Sequence, residues 1–87
     1  MSLPSFNIQI LTPQRSVFSG PVVSLIAPGE LGQLGVLANH APLLTKLVEG
    51  KIILKKETAE ILTFESKGSG FLEVHKNQVT LLADAIE

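Results

Sequence analysis

Cysteine is missing altogether from this chain of 87 residues, and so are tryptophan and tyrosine. Without cysteine there is neither a disulfide framework nor a thiolate metal site, a composition that fits a reducing compartment. Four phenylalanines are the only aromatic rings, so the platforms on which sugars and single-stranded nucleic acid usually stack are scarce. Charge is sparse and balanced, with seven basic and eight acidic residues and a net charge of −1. Binding to nucleic acid needs a dense basic face that releases counterions, and none is present. Lys51, Lys55 and Lys56 come nearest and read as a solvated strand edge. No apolar run reaches the length of a membrane span. The opening "MSLPSF" has neither the basic start nor the apolar core of a signal peptide, which points to a soluble chain on the cytosolic side.

What is present is a small, greasy chain. Its length predicts one domain, over residues 1–87, with a stability of about 4–13 kcal/mol at roughly 0.05–0.15 kcal/mol per residue. The mean hydropathy of +0.36 is high for a domain with so much surface relative to volume. It has two readings: a core rich in Leu, Ile and Val, or an apolar face that meets a partner.

The dominant pattern is the strand period. In "SFNIQIL" the residues Phe6, Ile8 and Ile10 alternate with Ser5, Asn7 and Gln9. "PVVSLIA" (Pro21 to Ala27) is a β-branched run between turn signals. "KIILKK" and "EILTFES" flank a hairpin connection at "ETA", and "GFLEV" and "VTLLA" flank a second at "HKNQ", where Asn77 suits a tight turn. "SKGSG" (Ser66 to Gly70) reads as a flexible connection. In "APLLTKLVEG", Leu43, Leu44, Leu47 and Val48 also fit a helical face with Pro42 at its first turn; periodicity alone does not decide this run, and its β context favours a strand. Turn signals every eight to twelve residues or so predict an all-β sandwich or barrel.

Residues able to do chemistry are few and scattered. Gly29, Gly32 and Gly35 have phosphate-loop spacing but lack the lysine and Ser/Thr that close such a loop, and no βαβ unit surrounds them. Glycines permit close bends, so they read as the turns of a folded loop. His40 reads as a turn or interface residue, and His75 as a solvent-facing strand end. Ser66, Ser69, Glu73 and Asp84 offer nucleophilic and acidic groups without an elbow motif to present a serine. Glu57, Glu60 and Glu73 read as exposed turn and strand positions, and two isolated histidines make no zinc site. The expectation is therefore no catalytic, cofactor-binding or metal-binding residue. Binding is left. The segment from Pro28 to Pro42 reads as a long loop that offers Leu31, Leu34, Val36 and Leu37 between glycines, where merely connecting loops are polar.

Three phrases carry a resemblance. "VFSG" (Val17 to Gly20), "GELGQLGVLANHAPLLTKLVEGKI" (Gly29 to Ile52) and "GFLEVHKNQVTLLADAIE" (Gly70 to Glu87) resemble, in order, the epsilon subunits of F-type ATP synthases. The resemblance implies a flattened antiparallel β-sandwich of about ten short strands. It also implies a non-catalytic subunit of the rotating central stalk that links the membrane c-ring to the gamma shaft, on the cytoplasmic face of a bacterial inner membrane. It places Glu30, Leu31, Gln33 and Leu34 in the loop facing the c-ring, and Thr12, His40 and Thr45 toward gamma. The family often carries an acidic residue just before the Leu-Gly of this loop; here that position is Gln33, and Glu30 lies three residues earlier. Typical members continue into a two-helix carboxy-terminal domain beyond the equivalent of "LADAIE", so the resemblance implies either a naturally short form or a piece cut from a longer chain. The competing reading from composition alone is a free-standing β-sandwich that holds a small ligand in an enclosed pocket.

Overall fold

The computed structural model describes residues 3–87; of the opening "MSLPSF", Met1 and Ser2 lie outside the described residues. Eight strands account for the regular structure: β1 (Phe6–Leu11), β2 (Ser16–Val22), β3 (Ser24–Gly29), β4 (Gly32–Leu37), β5 (Leu43–Leu47), β6 (Gly50–Lys55), β7 (Ile61–His75) and β8 (Gln78–Ile86). No helix among the described residues is long and apolar enough to cross a membrane. The ambiguous "APLLTKLVEG" run is strand β5, because pairing with β7 from Leu43↔Val74 to Leu47↔Gly70 gives the backbone groups on one side of it their partners.

All pairings are antiparallel except β1 with β8, which run parallel from Asn7↔Gln78 to Leu11↔Leu82. The network divides into two layers because β7 and β8 are long enough to serve both. In the first layer the order is β2-β1-β8-β7-β5, using β7 from Gly70 onward. In the second, β4-β3-β6 is followed by the first part of β7 and then by the end of β8, where Ser66 faces Ile86 and Lys67 faces Ala85. The strands number eight where about ten short ones were expected, because β7 and β8 each run through both layers as a single strand. "SKGSG" is therefore no flexible connection. It lies inside β7 at a register shift between Lys67 and Gly70, where the strand bends from one layer into the other. Two acceptors pin the bend: Gly68 N–H donates to Glu49 Oε2 at 2.9 Å, and Ser69 N–H to Asp84 Oδ2 at 2.9 Å. Gly70 must lack a side chain, because a Cβ there would collide with the Leu82 carbonyl oxygen.

One apolar core fills the space between the layers. Phe6, Ile8 and Ile10 meet Leu72, Val74, Val79 and Leu81 from the first layer and Leu25, Val36, Ile52 and Leu54 from the second. The alternation in β1 is what drives this: Phe6, Ile8 and Ile10 are buried and Asn7 and Gln9 are exposed. Among the described residues Ser66 is the only buried polar one, and its hydroxyl has no partner there. Lys51 and Lys55 are exposed as expected, but β6 is not an edge, since it pairs with both β3 and β7.

Candidate functional site

The glycine-rich segment is a tight hairpin and no long loop. β3 and β4 pair from Ser24↔Leu37 to Gly29↔Gly32, leaving only Glu30 and Leu31 as the turn. Glycine is required on both sides for different reasons. At Gly29 a Cβ would lie 2.7 Å from the Gly32 carbonyl oxygen and from Leu34 Cδ2; Gly32 has open space but a φ of +128°. The turn is anchored to the body of the sandwich, because Glu30 N–H donates to the Lys46 carbonyl at 3.1 Å and Val48 N–H to the Pro28 carbonyl at 2.9 Å.

The four residues expected to face the c-ring do not point the same way. Leu31 is fully exposed at the tip, and Glu30 and Gln33 are exposed beside it. Leu34 is half-buried and packs against the core, and Val36 belongs to the core outright. The leucine-rich composition of the segment therefore serves two purposes. Alternation along β4 sends Leu34 and Val36 inward and keeps the turn and Leu37 outside.

Thr12, His40 and Thr45 are spread along the first layer and form no single pocket. Thr12 closes a tight turn after β1: its N–H donates to the Arg15 carbonyl at 2.9 Å, and Arg15 N–H reaches Thr12 Oγ1 at 3.3 Å. Thr45 lies in β5 opposite Leu72, half-buried, three strands from Ile10 and so about 14 Å away across the layer. His40 lies toward the β7–β8 turn, since the neighbouring Asn39 N–H donates to Asn77 Oδ1 at 2.7 Å; the His40 Nδ1 is 2.8 Å from the Ala41 carbonyl. His75 is exposed at the end of β7. Among the described residues no group of three or more His, Cys, Asp or Glu side chains is placed to hold a metal ion.

The outer face of the first layer carries a surface that the sequence reading missed. One row across the strands places Leu11, Leu82, Phe71 and Lys46 side by side. Phe71 is 48 % exposed and Leu82 46 %. With the Thr12–Arg15 turn and Asp84 they line a groove of about 480 Å³. A second hollow runs from Ser69, Gly70 and Phe71 to Glu30, Lys46 and Glu49, so the groove beside Thr12 adjoins the region beneath the Glu30–Leu31 turn. The missed signal was local: "FL" at Phe71–Leu72 and "LL" at Leu81–Leu82 place apolar residues on both faces of a strand, where a strand with one wet face alternates.

Comparisons with known proteins agree with this fold. The family described as ATP synthase, Delta/Epsilon chain, beta-sandwich domain matches residues 5–87. The ATP synthase epsilon chain of Pelotomaculum thermopropionicum is 46 % identical over 87 residues, covering 100 % of this chain and 63 % of its own length. That of Dichelobacter nodosus is 44 % identical over 84 residues, covering 97 % of this chain and 57 % of its own. The chain thus spans about three fifths of the length of these relatives. Among solved structures, a chain of the Euglena gracilis mitochondrial ATP synthase superposes with a TM-score of 0.89 at 18 % identity, over 98 % of this chain and 54 % of that one. A chain from the central stalk and c-ring structure of the Tetrahymena thermophila mitochondrial ATP synthase gives a TM-score of 0.79 at 15 % identity, over 100 % of this chain and 69 % of that one. With two layers, one core and a family match over nearly all of its length, the chain belongs to the β-sandwich family of the ATP synthase delta and epsilon chains.

Proposed function

We propose that this chain is the β-sandwich unit of an epsilon subunit of an F-type, proton-translocating ATP synthase, working as one domain. In this reading it is a non-catalytic part of the central stalk. It clamps the c-ring to the gamma shaft, so that proton-driven rotation reaches the sites of ATP synthesis without slipping. The subunit sits peripherally on the cytoplasmic face of a bacterial inner membrane and touches the bilayer only through the complex.

The observation that carries this reading is the fully exposed Leu31 on a turn that backbone hydrogen bonds lock to the sandwich. A lone leucine in water gains nothing, whereas a leucine on a rigid projection can seat against a partner at little entropic cost. Glu30 and Gln33 flank it with one charged and one neutral hydrogen-bonding group, which suits polar loops of a c-ring. The outer row of Leu11, Leu82 and Phe71, continuous with the Thr12 turn, supplies an apolar area of the kind a gamma subunit would cover. His40 lies toward the β7–β8 end of the same layer, whereas Thr45, in register with the buried Leu72, faces inward and adds nothing to this outer row.

The test is assembly. Mixed with the gamma subunit of the same organism, the chain should co-elute from a sizing column at micromolar concentration; two separate peaks would defeat the reading. The groove beside Phe71 supports a second reading, a small-ligand site, which predicts a ligand-dependent rise in Tm for the chain alone.

A further inference from the structure

Among the described residues, the sandwich leaves one strand edge undefended. Each edge strand offers a row of unpaired N–H and C=O groups, and proteins usually blunt such rows with proline, charge or a bulge. β2 carries Pro21, and its pairing with β1 shifts register near Leu11. β5 carries Lys46, and the end of β8 carries Asp84 and is followed by Glu87. β4, "GQLGVL", has no charge and no proline, pairs only with β3, and keeps one register over its whole length.

The direction of its hydrogen bonds follows from the turn. Gly29 and Gly32 close a two-residue connection, so they form a hydrogen-bonded pair. Gly29 is free to do so because β5 is served on its other side by Glu30 N–H and the Pro28 carbonyl. Alternation then gives Leu34 and Val36 to the bonds with β3. It aims the N–H and C=O groups of Gln33, Gly35 and Leu37 away from the sandwich. Pro28, opposite Gln33, agrees with this parity, since the missing N–H of a residue at that position would not have pointed at β4. Gln33, Gly35 and Leu37 are all exposed, and Leu37 is 65 % so. At the Leu37 end a hollow of about 270 Å³, lined by Leu3, Pro4, Val23, Leu37, Ala38 and Asn39, would seat an apolar side chain.

The geometry points to β4 as a site of strand addition, where an extended, uncharged segment of the neighbouring stalk polypeptide pairs with Gln33, Gly35 and Leu37. Small side chains of that segment face the glycine edge, and an apolar one enters the hollow beside Leu37. The strand runs from the Glu30–Leu31 turn to the Asn39–His40 segment, so the added segment would continue both surfaces proposed above. Only this choice of partner rests on the stalk reading; the open edge itself does not.

Amide hydrogen exchange tests it with the purified gamma subunit as probe. In the free chain the amides of Gln33, Gly35 and Leu37 exchange fast, while those of Leu34 and Val36 are protected. On binding gamma, the three outward amides should become protected. Gly35→Pro removes one outward donor and no bond to β3, and should weaken the complex about tenfold while the amide spectrum of the free chain stays folded. Gly35→Ala, whose Cβ would meet nothing nearer than the Leu25 carbonyl oxygen at 3.9 Å, should bind within about twofold of the parent. A complex that forms with those amides still exchanging freely overturns strand addition and leaves the stalk reading standing. No complex at all overturns the stalk reading and with it the choice of partner. Protection that rises with the concentration of the chain alone makes a second copy the occupant, and overturns the proposal as well.

Discussion

Two tight turns at different places on the sandwich show how the same device serves opposite ends. Both connect antiparallel strands through two residues: Lys76–Asn77 between β7 and β8, and Glu30–Leu31 between β3 and β4. The first is closed on itself. Lys76 and Asn77 both have positive φ, at 49° and 61°, the left-handed pair that matches the twist of a hairpin. The Asn77 side chain then reaches outward in both its roles: Nδ2 donates to the Ser5 carbonyl at 2.9 Å, and Oδ1 accepts from Asn39 N–H at 2.7 Å. Three separate segments meet at that one residue. The second turn is tied down only through its backbone, and its side chains make no hydrogen bond within the described residues. The difference separates a turn that organises the fold from one whose side chains are left free for the contact proposed above.

The contrast can be broken most forcefully at Asn77. Asn77→Ala removes two side-chain hydrogen bonds, at about 1 kcal/mol each, and places an ordinary residue in the left-handed region at roughly 1 kcal/mol more. Urea denaturation should show a loss of about 3 kcal/mol, with Asn77→Gly recovering about 1 kcal/mol of it. A loss below roughly 1 kcal/mol would mean that the side chain does not knit the three segments together. At the other turn, Leu34→Glu should cost about 2 kcal/mol, because the half-buried side chain packs on the core and a carboxylate there loses water without gaining a partner. The same denaturation series checks it against Leu34→Met, which should be close to neutral.

Gly32→Ala isolates backbone strain, since its Cβ would meet no atom within 4 Å while φ is +128°. A cost of about 1 kcal/mol in the same assay is expected, and no cost would mean the turn relaxes freely. The smallest effect on stability belongs to Leu31→Glu, within about 0.5 kcal/mol of the parent because the side chain touches nothing. Its effect should appear in assembly, as about a tenfold weaker association with the c-ring by co-sedimentation. Were Leu31→Glu to unfold the chain, the division between the two turns would be lost.

Much of this was legible residue by residue. The alternation of Phe6, Ile8 and Ile10 named the buried face of β1, and Asn77 announced its turn through the left-handed conformation that asparagine tolerates. Other features misread for a shared reason. "SKGSG" has loop composition, yet the Glu49 and Asp84 carboxylates that hold it lie 19 and 15 residues away in sequence. The Pro28–Pro42 segment looked like one long loop because glycine signals a bend without saying whether flanking residues pair. Leu31 and Leu34 were grouped as one contact surface; only the hairpin register parts them. Phe71 and Leu82 were placed in strands but not on an exposed face, because an apolar residue in a strand does not reveal which side is covered.

Local pattern was enough to show that this chain is made of strands, to outline β1, β5 and β6, and to show that chemistry by side chains is thinly provided for. Those are local properties: a period of two, β-branched runs and the φ preferences of Gly, Pro and Asn act within a few residues. It was left to tertiary pairing to share β7 and β8 between two layers, to choose which leucines are sealed in and which stay outside, and to leave β4 with an open edge. These depend on pairings between segments far apart in the chain, and a strand carries no mark of which neighbour will cover it.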